Sequence, residues 1–461
     1  MESVIETRNF RLDRERELSA ARGLQRYRLA AQTAITGIGS HAISVLTNFL
    51  LVPVMLRYMG SEQYGLWLTL QSLVAFTAFL DFGISNSALN AITAANAKKD
   101  YGRVGSLIMT AFTALAVIAA VVGLSALAAW PLIPWERICG AISSHSASDI
   151  VGGVAVFVAY AAALLPLGFV DRVAVAFQDG RLANAARAVA AMATLGAAAA
   201  VVRAGGSFTT MCFATTVPSL IVWAATWILL ARTRPWIFPA TLRIDPSAIG
   251  QLAAAGMMFV GIQATAVLGS AVDNPMIAAI AGTAAVAMYG AHYKLFALVS
   301  VLSALFLAPL WPAYADAKAH QERGWISSTL TWSVRTAAAC GAILGIALLT
   351  VFPYVMRIWL ADEIAPNWTL AGGMCAQAVL ASIGTAYAMF WNGTHQLRLQ
   401  LILGIVYVAV SLPLRAWVLR AAGVEYYAYA IAASYLVCVL VPAYLLGRQM
   451  VSRSPRTQDE S

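Results

Sequence analysis

The sequence predicts an all-α polytopic membrane protein with twelve transmembrane helices arranged as two six-helix bundles. Three observations lead to this prediction: twelve apolar stretches, an alternation of basic and non-basic breaks between them, and an internal repeat. Hydrophobic residues make up 60% of the 461 residues and charged residues only 11%, whereas a soluble protein carries about 25% charged residues. Helical spans are expected because about 20 consecutive apolar residues cross the hydrocarbon core of a bilayer.

The apolar stretches are interpreted as spans one to twelve. In chain order they cover residues 33–58, 64–90, 106–130, 150–170, 186–202, 208–230, 250–280, 286–312, 328–352, 367–391, 399–419 and 424–447. Of the 30 Lys and Arg residues, 23 lie at the two termini and at the breaks that follow even-numbered spans, including the span ends beside them. Another 6 lie at the breaks that follow odd-numbered spans, and Lys294 lies deep inside a span. Because basic residues are retained in the cytoplasm, both termini are predicted to be cytoplasmic.

The terminal segments are predicted to be cytoplasmic and outside the membrane. Residues 1–30 are rich in both Arg and acidic residues and lack the apolar core of a signal peptide. They are interpreted as a lead-in that is either a solvated tail or a helix lying on the membrane. Residues 448–461 are interpreted as a cytoplasmic tail.

An internal repeat divides the spans into six and six. Residues 45–60, VLTNFLLVPVMLRYMG, and residues 267–282, VLGSAVDNPMIAAIAG, share Val, Leu, Pro and Gly at an offset of 222 residues. Pro and Gly have backbone roles in membrane helices, which favours duplication over chance similarity between two hydrophobic helices. The predicted bundles are residues 31–231 and 247–447, joined by a cytoplasmic linker at 232–246. We expect the halves to rock about this linker in alternating access.

Several classes of function find no support in the sequence. There is no G-x-x-x-x-G-K-[ST] motif, and the net charge of +9 is explained by topology and anionic lipids rather than by nucleic-acid binding. The five cysteines are scattered without metal-ligand spacing, so no metal and no cofactor is predicted. No Ser/His/Asp or paired-carboxylate arrangement can be assembled, and the protein is therefore expected not to be an enzyme.

Ionisable residues deep within spans are candidate site residues, because leaving a charge in the bilayer is costly. Asp273 and Lys294 lie about 12 Å and about 13 Å from the same turn at 1.5 Å per residue. Their matched depth predicts that they pair and face the interior between the halves, either to contact substrate or as a structural ion pair. Asn274 stands beside Pro275, which should bend span seven because Pro lacks a backbone donor.

Other polar residues have two open interpretations. Asp81 and Asn86, in the sequence LDFGISN, either line an aqueous cavity or mark an interfacial helix end. Arg415 follows Pro413 and either snorkels outward or faces the cavity. Five tryptophans are assigned to the aromatic belt at the membrane interfaces: Trp67, Trp130, Trp135, Trp359 and Trp368.

Three stretches resemble the bacterial polysaccharide-export flippases, the O-antigen and exopolysaccharide translocases of the multidrug/oligosaccharidyl-lipid/polysaccharide (MOP) superfamily. They are LVPVMLRYMGSEQYGLW, LDFGISNSALNAI and YGAHYKLFALVSVLSALFLAPLWPAYADA. The resemblance implies a fold like that of the multidrug and toxin extrusion (MATE) transporters, with two six-helix bundles around a V-shaped cavity.

The resemblance also implies a function. It implies transport of an undecaprenyl-diphosphate-linked oligosaccharide across the bacterial inner membrane to the periplasmic leaflet, coupled to an ion gradient. The partner proteins it implies are a polysaccharide polymerase and a chain-length regulator. Lys294 would contact the anionic headgroup, with Asp273, Asn274, Asp81, Asn86 and Arg415 as further lumen candidates. Asp81 or Asp273 would be the coupling carboxylate. The alternatives are a multidrug or organic-cation antiporter and, with less support, a membrane glycan polymerase or ligase.

Overall fold

The structure is a computed structural model that describes residues 2–133, 147–237, 246–394 and 396–452. All regular elements among these residues are helical. We number the α-helices in chain order as α1 Glu2–Val74, α2 Thr77–Leu80, α3 Ile84–Ala97, α4 Tyr101–Ala129, α5 Ala147–Ala176, α6 Gly180–Ala204, α7 Phe208–Thr233, α8 Pro246–Ser270, α9 Asp273–Ala281, α10 Thr283–Leu307, α11 Leu310–Ala319, α12 Arg323–Leu360, α13 Trp368–Gly393, α14 Leu397–Ala422, α15 Tyr427–Tyr435 and α16 Val441–Ser452.

The described helices account for the twelve predicted spans. Eleven of them are long and apolar enough to cross a membrane by length and composition. Span two is the twelfth, and it is divided: its first part is continuous with α1 beyond a kink at Gly60, and α2 and α3 complete it. Residues 2–30 belong to α1, so the described part of the lead-in is helical and continuous with span one.

Four turns at one end of the helices use glycines with positive φ: Gly60, Gly205, Gly282 and Gly423. We call this end the glycine end. Gly60 (φ 76°, ψ 173°) and Gly282 (φ 88°, ψ 167°) have nearly the same conformation, which is essentially restricted to glycine. Gly423 has a similar conformation (φ 83°, ψ 178°), so this backbone turn recurs at three of the four positions, and the duplication at an offset of 222 residues stays a prediction. The linker at 232–246 stays a prediction, because residues 238–245 lie outside the described residues.

Span seven is broken in its middle. α8 ends at Ser270 and α9 begins at Asp273, so the predicted bend before Asn274-Pro275 is confirmed. The physical reason is that Pro275 has no N–H to bond the preceding turn of helix. Spans two and eight are interrupted as well, between α1 and α3 and between α10 and α11. In span seven the break leaves Asp273 at the first position of a helix.

The two halves share one hydrophobic core near the glycine end, whereas further clusters lie within each half. The halves approach closely at Gly65 and Thr283, where a Cβ on Gly65 would overlap the Thr283 carbonyl oxygen. A Cβ on Gly290 would likewise meet the Leu68 side chain. Towards the opposite end α8 crosses to contact α2, α3 and α4. The Gly65–Thr283 and Gly290–Leu68 contacts close the halves against each other at the glycine end, and the α8 contacts also join them nearer the opposite end.

Candidate functional site

Asp273 forms a buried ion pair with Arg415. Its Oδ1 accepts hydrogen bonds from Arg415 Nη1 at 2.7 Å and from the Tyr427 hydroxyl at 2.8 Å. Its Oδ2 accepts from the Tyr289 hydroxyl at 3.1 Å. Because Asp273 begins α9, the positive end of that helix dipole also favours the carboxylate. Both oxygens of this deep carboxylate on span seven thus have partners, which come from spans eight, eleven and twelve.

Arg415 is fully buried, so the expectation that it snorkels outward is wrong. Besides the carboxylate, its Nη1 donates to the Gly269 carbonyl at 2.9 Å, and its Nη2 donates to the Tyr407 hydroxyl. The Gly269 carbonyl belongs to the last turn of α8, where backbone acceptors lose their helical partners. A buried carboxylate and an acceptor at the break in span seven hold the guanidinium inside the bundle, and the interface offers no comparable partners.

Lys294 does not pair with Asp273, and that prediction is wrong. Its ammonium donates to the Tyr64 hydroxyl at 3.3 Å and lies 5.7 Å and 5.6 Å from the ring centroids of Tyr64 and Trp67. Such distances allow cation–π attraction. Lys294 is half-buried and forms no ion pair with a described residue. The reason for the error is that Asp273 finds its cation on span eleven, at the same depth.

The aromatic partners of Lys294 are not part of an interfacial belt. Trp67 is buried at 1% exposure, and its Nε1 donates to Thr215 Oγ1 at 3.0 Å. Trp359 is also buried; it stacks on Phe49 with ring centroids 4.0 Å apart and donates to the Phe49 carbonyl. The belt assignment is therefore wrong for both residues, because the packing of one half on the other covers them.

Asn274 joins the same contact between the halves. Its Nδ2 donates to Ser72 Oγ at 2.7 Å and lies 3.4 Å from the Leu68 carbonyl. We call the contact formed by Tyr64, Trp67, Leu68 and Ser72 of the first half with Asn274 and Lys294 of the second the seam. The seam is polar at several points, although it adjoins the apolar core.

A charged cavity of about 540 Å³ is lined mainly by the first half, with Val267 of α8 from the second half also in its lining. We call it the first-half cavity; its charged lining residues are Asp81, Asp171, Arg172 and Arg187. Asp81 is half-buried, and its Oδ1 accepts from the Ser85 backbone N–H at 2.9 Å. Asp81 therefore lines a cavity and accepts a hydrogen bond at the start of α3, which lies inside span two; its interpretation as an interfacial helix end stays a prediction. Asn86 is half-buried on α3 and is not among the described lining residues.

A polar network crosses this cavity wall. Arg187 Nη2 pairs with Asp171 Oδ1 at 2.7 Å, and Arg187 Nη1 donates to Asn184 Oδ1 at 3.0 Å. Asn184 Nδ2 in turn donates to Thr36 Oγ1 on span one at 3.1 Å. The sequence reasoning used Arg172 and Arg187 only as topology signals, and so did not identify them as cavity residues.

A second cavity of about 660 Å³ lies inside the second half. We call it the second-half cavity. Its described lining carries amides, hydroxyls and aromatic rings and no charged residue; the polar and aromatic members are Thr265, Ser270, Gln377, Thr385, Trp391, Gln400, Tyr407 and Tyr435. Tyr407 connects this cavity to the buried ion pair through its hydrogen bond with Arg415. Sequence reasoning singled out none of these residues, because uncharged polar side chains are common in membrane helices.

The Asp273–Arg415 pair leads to a stability prediction. Asp273→Leu and Arg415→Met should each lower the free energy of unfolding by about 3–5 kcal/mol, because each leaves a buried charge without its partner. The double variant should lose much less than the sum of the two. Denaturant unfolding in detergent gives the three values.

The exposed pair Arg357–Asp362, with its atoms 3.8 Å apart, is the matched control. Asp362→Asn should change stability little, because exposed pairs contribute about 0–1 kcal/mol. Additive losses for Asp273 and Arg415 would contradict a coupled pair.

The protein resembles a solved inward-facing multidrug resistance MATE transporter of the MOP superfamily at TM-score 0.75 and 14% identity, covering 91% of this chain and 98% of that one. An outward-facing structure with the same description gives TM-score 0.64 at 14% identity, with 92% and 95% covered.

A third structure is a MOP superfamily transporter from Pyrococcus furiosus, described as having a binding pocket of reverse polarity that suggests a different function. It gives TM-score 0.60 at 13% identity, with 92% of this chain and 95% of that one covered. These likenesses confirm the MATE-like fold.

No curated protein matches the chain. The profile of a family described as "Polysaccharide biosynthesis protein" matches residues 30–318, which is more than half of the sequence. With its many membrane-spanning helices and its transporter fold, the chain belongs to this polysaccharide biosynthesis family.

Proposed function

We propose that the protein is a flippase that moves an undecaprenyl-diphosphate-linked oligosaccharide from the cytoplasmic to the periplasmic leaflet of the bacterial inner membrane. This step would serve O-antigen or exopolysaccharide biosynthesis. One observation supports the proposal most strongly: Lys294 lies at the seam with no ion-pair partner among the described residues, whereas the deep carboxylate Asp273 is already neutralised by Arg415. The net unpaired charge at the seam is positive, which suits an anionic headgroup.

Lys294 has the chemistry that a diphosphate requires. An ammonium group is a compact point charge with three donors and is a common phosphate binder. Its attraction to an anion is stronger in a half-buried position than in water, because the local dielectric constant is lower. In this proposal the diphosphate approaches Lys294, the glycan occupies the polar cavities, and the lipid tail stays in the bilayer.

The closed glycine end supports transport by alternating access. The breaks at the other end of the helices carry the excess of basic residues, so that end is predicted to be cytoplasmic and the glycine end periplasmic. Both cavities would then lie on the cytoplasmic side of the seam. The higher TM-score against the inward-facing transporter than against the outward-facing one, 0.75 and 0.64, supports a cytoplasm-facing state. Release to the periplasm would then require the seam to part.

Asp81 is the better of the two candidates for ion coupling. Both oxygens of Asp273 accept hydrogen bonds within a closed cluster, and an ion would have to displace Arg415 to reach them. Asp81 lines a cavity, and the hydrogen bonds described for its carboxylate come from Ser85 and Ile84 at the start of α3, with Arg172 as the neighbouring charge. We therefore propose that the coupling ion binds or leaves at Asp81.

The alternative function is a multidrug or organic-cation antiporter, because two of the structures with a similar fold are multidrug resistance transporters. An organic cation would need an unneutralised carboxylate in the lumen. Asp171 is paired with Arg187 and Asp273 with Arg415, which leaves Asp81 next to Arg172 in the first-half cavity. This charge balance favours an anionic cargo over a cationic one.

Removal of the Lys294 charge should abolish transport. In a strain lacking the gene, Lys294→Gln should fail to restore surface glycan, whereas Lys294→Arg should restore a measurable part, because it keeps the positive charge. The measurement is surface glycan, normalised to the amount of protein in the membrane.

Lys98→Gln is the matched control, since Lys98 is exposed at the opposite end of the helices; it should behave like wild type. Normal glycan with Lys294→Gln at normal protein level would refute the role of Lys294.

Replacement of Asp81 should uncouple transport from the ion gradient. Asp81→Asn keeps an acceptor for the Ser85 N–H but cannot ionise, so the capping of α3 should survive. In proteoliposomes we expect stimulation by an imposed proton or sodium gradient to fall at least about tenfold, the effect of about 1.4 kcal/mol. Asp316→Asn, at an exposed site on α11, is the control. An Asp81→Asn protein that responds to the gradient as wild type does would exclude Asp81 as the coupling group.

A further inference from the structure

The second-half cavity contains polar atoms without partners. Gln377 Oε1, Gln400 Oε1 and Trp391 Nε1 are buried and have no hydrogen-bond partner among the described residues. All three residues line the cavity, and Trp391 is 97% buried, with 3% of its surface exposed. Two acceptors and one donor without described partners therefore belong to residues that line one cavity, two of them on α13 and one on α14.

These atoms are costly unless something in the cavity bonds them. A buried polar group without a hydrogen bond costs about 1–3 kcal/mol, and three such groups in one cavity indicate an occupant that is itself polar. The amide oxygens need donors, and the indole N–H needs an acceptor. Hydroxyl groups provide both.

The other lining residues further indicate which chemical groups an occupant of the cavity would carry. The cavity has no charged residue in its described lining, so it does not select for an anion or a cation. Aromatic rings of Trp391, Tyr407 and Tyr435 contribute apolar surface whose negative π-faces attract polarised C–H groups. A volume of about 660 Å³ falls within the roughly 300–1,000 Å³ typical of small-molecule sites. A lipid tail would fill such a space but would leave the polar atoms unbonded.

We propose that the second-half cavity is a subsite for uncharged sugar residues of the transported oligosaccharide. The sugar hydroxyls donate to Gln377 and Gln400 and accept from Trp391, and the C–H faces of the sugar rings pack on the aromatic side chains. This inference rests on the proposed function and adds a division of labour to it: Lys294 holds the diphosphate and the second-half cavity holds sugar. A sugar in this cavity also reaches Tyr407, which is bonded to Arg415 and through it to α9 of span seven.

The test uses the full-length protein in lipid nanodiscs and two probes. One probe is the undecaprenyl-diphosphate-linked oligosaccharide extracted from a strain that lacks the gene, and the other is undecaprenyl diphosphate without sugar. The test variant is Gln377→Met/Gln400→Met, which keeps side-chain volume and removes both amide oxygens. Gln263→Met is the matched control, because Gln263 Oε1 is also buried without a described partner but the residue is absent from the described cavity lining.

We expect the double variant to bind the lipid-linked oligosaccharide about tenfold more weakly than wild type, as the loss of two hydrogen bonds implies, and to bind undecaprenyl diphosphate as wild type does. Gln263→Met should bind both probes normally. Unchanged affinity of the double variant for the oligosaccharide probe, or an equal loss for both probes, would overturn the sugar subsite and leave the flippase proposal standing. A wild-type protein that binds neither probe would contradict the flippase proposal itself.

Discussion

The constraint on which this structure depends is that a charge inside the hydrocarbon layer must be paired or must face water. Asp273 satisfies it by pairing with Arg415, and two tyrosine hydroxyls complete the coordination of the carboxylate. The pair links the broken span seven to span eleven, while Tyr289 and Tyr427 connect it to spans eight and twelve. A pair of this kind stabilises the arrangement chiefly because removing one partner leaves the other buried and uncompensated. The break in span seven can therefore persist in the membrane.

The other deep charges satisfy the same constraint differently. Lys294 is supported by an aromatic pair from the opposite half of the molecule and is half-buried. The charges of the first half, Asp81 and Arg172 among them, line a cavity. These groups can change partners, whereas the Asp273 cluster is enclosed. The second half thus contains an enclosed ion pair and an uncharged polar cavity, whereas the seam and the first-half cavity carry charges that are not enclosed.

Much of the fold was predictable because it follows from periodicities that the bilayer imposes. Span number, the bend before Pro275 and the glycine turns at 60 and 282 are local properties of the sequence. The partner of Asp273 was not predicted, since it depends on which helix faces which across 142 residues. A signal was nevertheless present: Arg415 precedes Gly423 by eight residues, or about 12 Å, the same depth as Asp273. The cavities were not predictable, because uncharged polar residues such as Gln377 and Gln400 do not reveal from sequence which side of a helix faces the lumen.

The proposed transport mechanism requires that the halves, which are closed at the glycine end, separate there during transport. A disulfide between Leu68→Cys and Gly290→Cys tests this directly, because an ideal Cβ at position 290 lies within 3.8 Å of the Leu68 Cγ. The control is Gly345→Cys with the native Cys375, whose Sγ lies 2.9 Å from an ideal Cβ at 345 and which links α12 to α13 within one half. The measurement is the rate of lipid-linked oligosaccharide transport in proteoliposomes under oxidising and reducing conditions. Oxidation should stop transport in the 68–290 variant, reduction should restore it, and the control should be unaffected. Transport that continues with the 68–290 disulfide formed would contradict the separation of the halves at the glycine end.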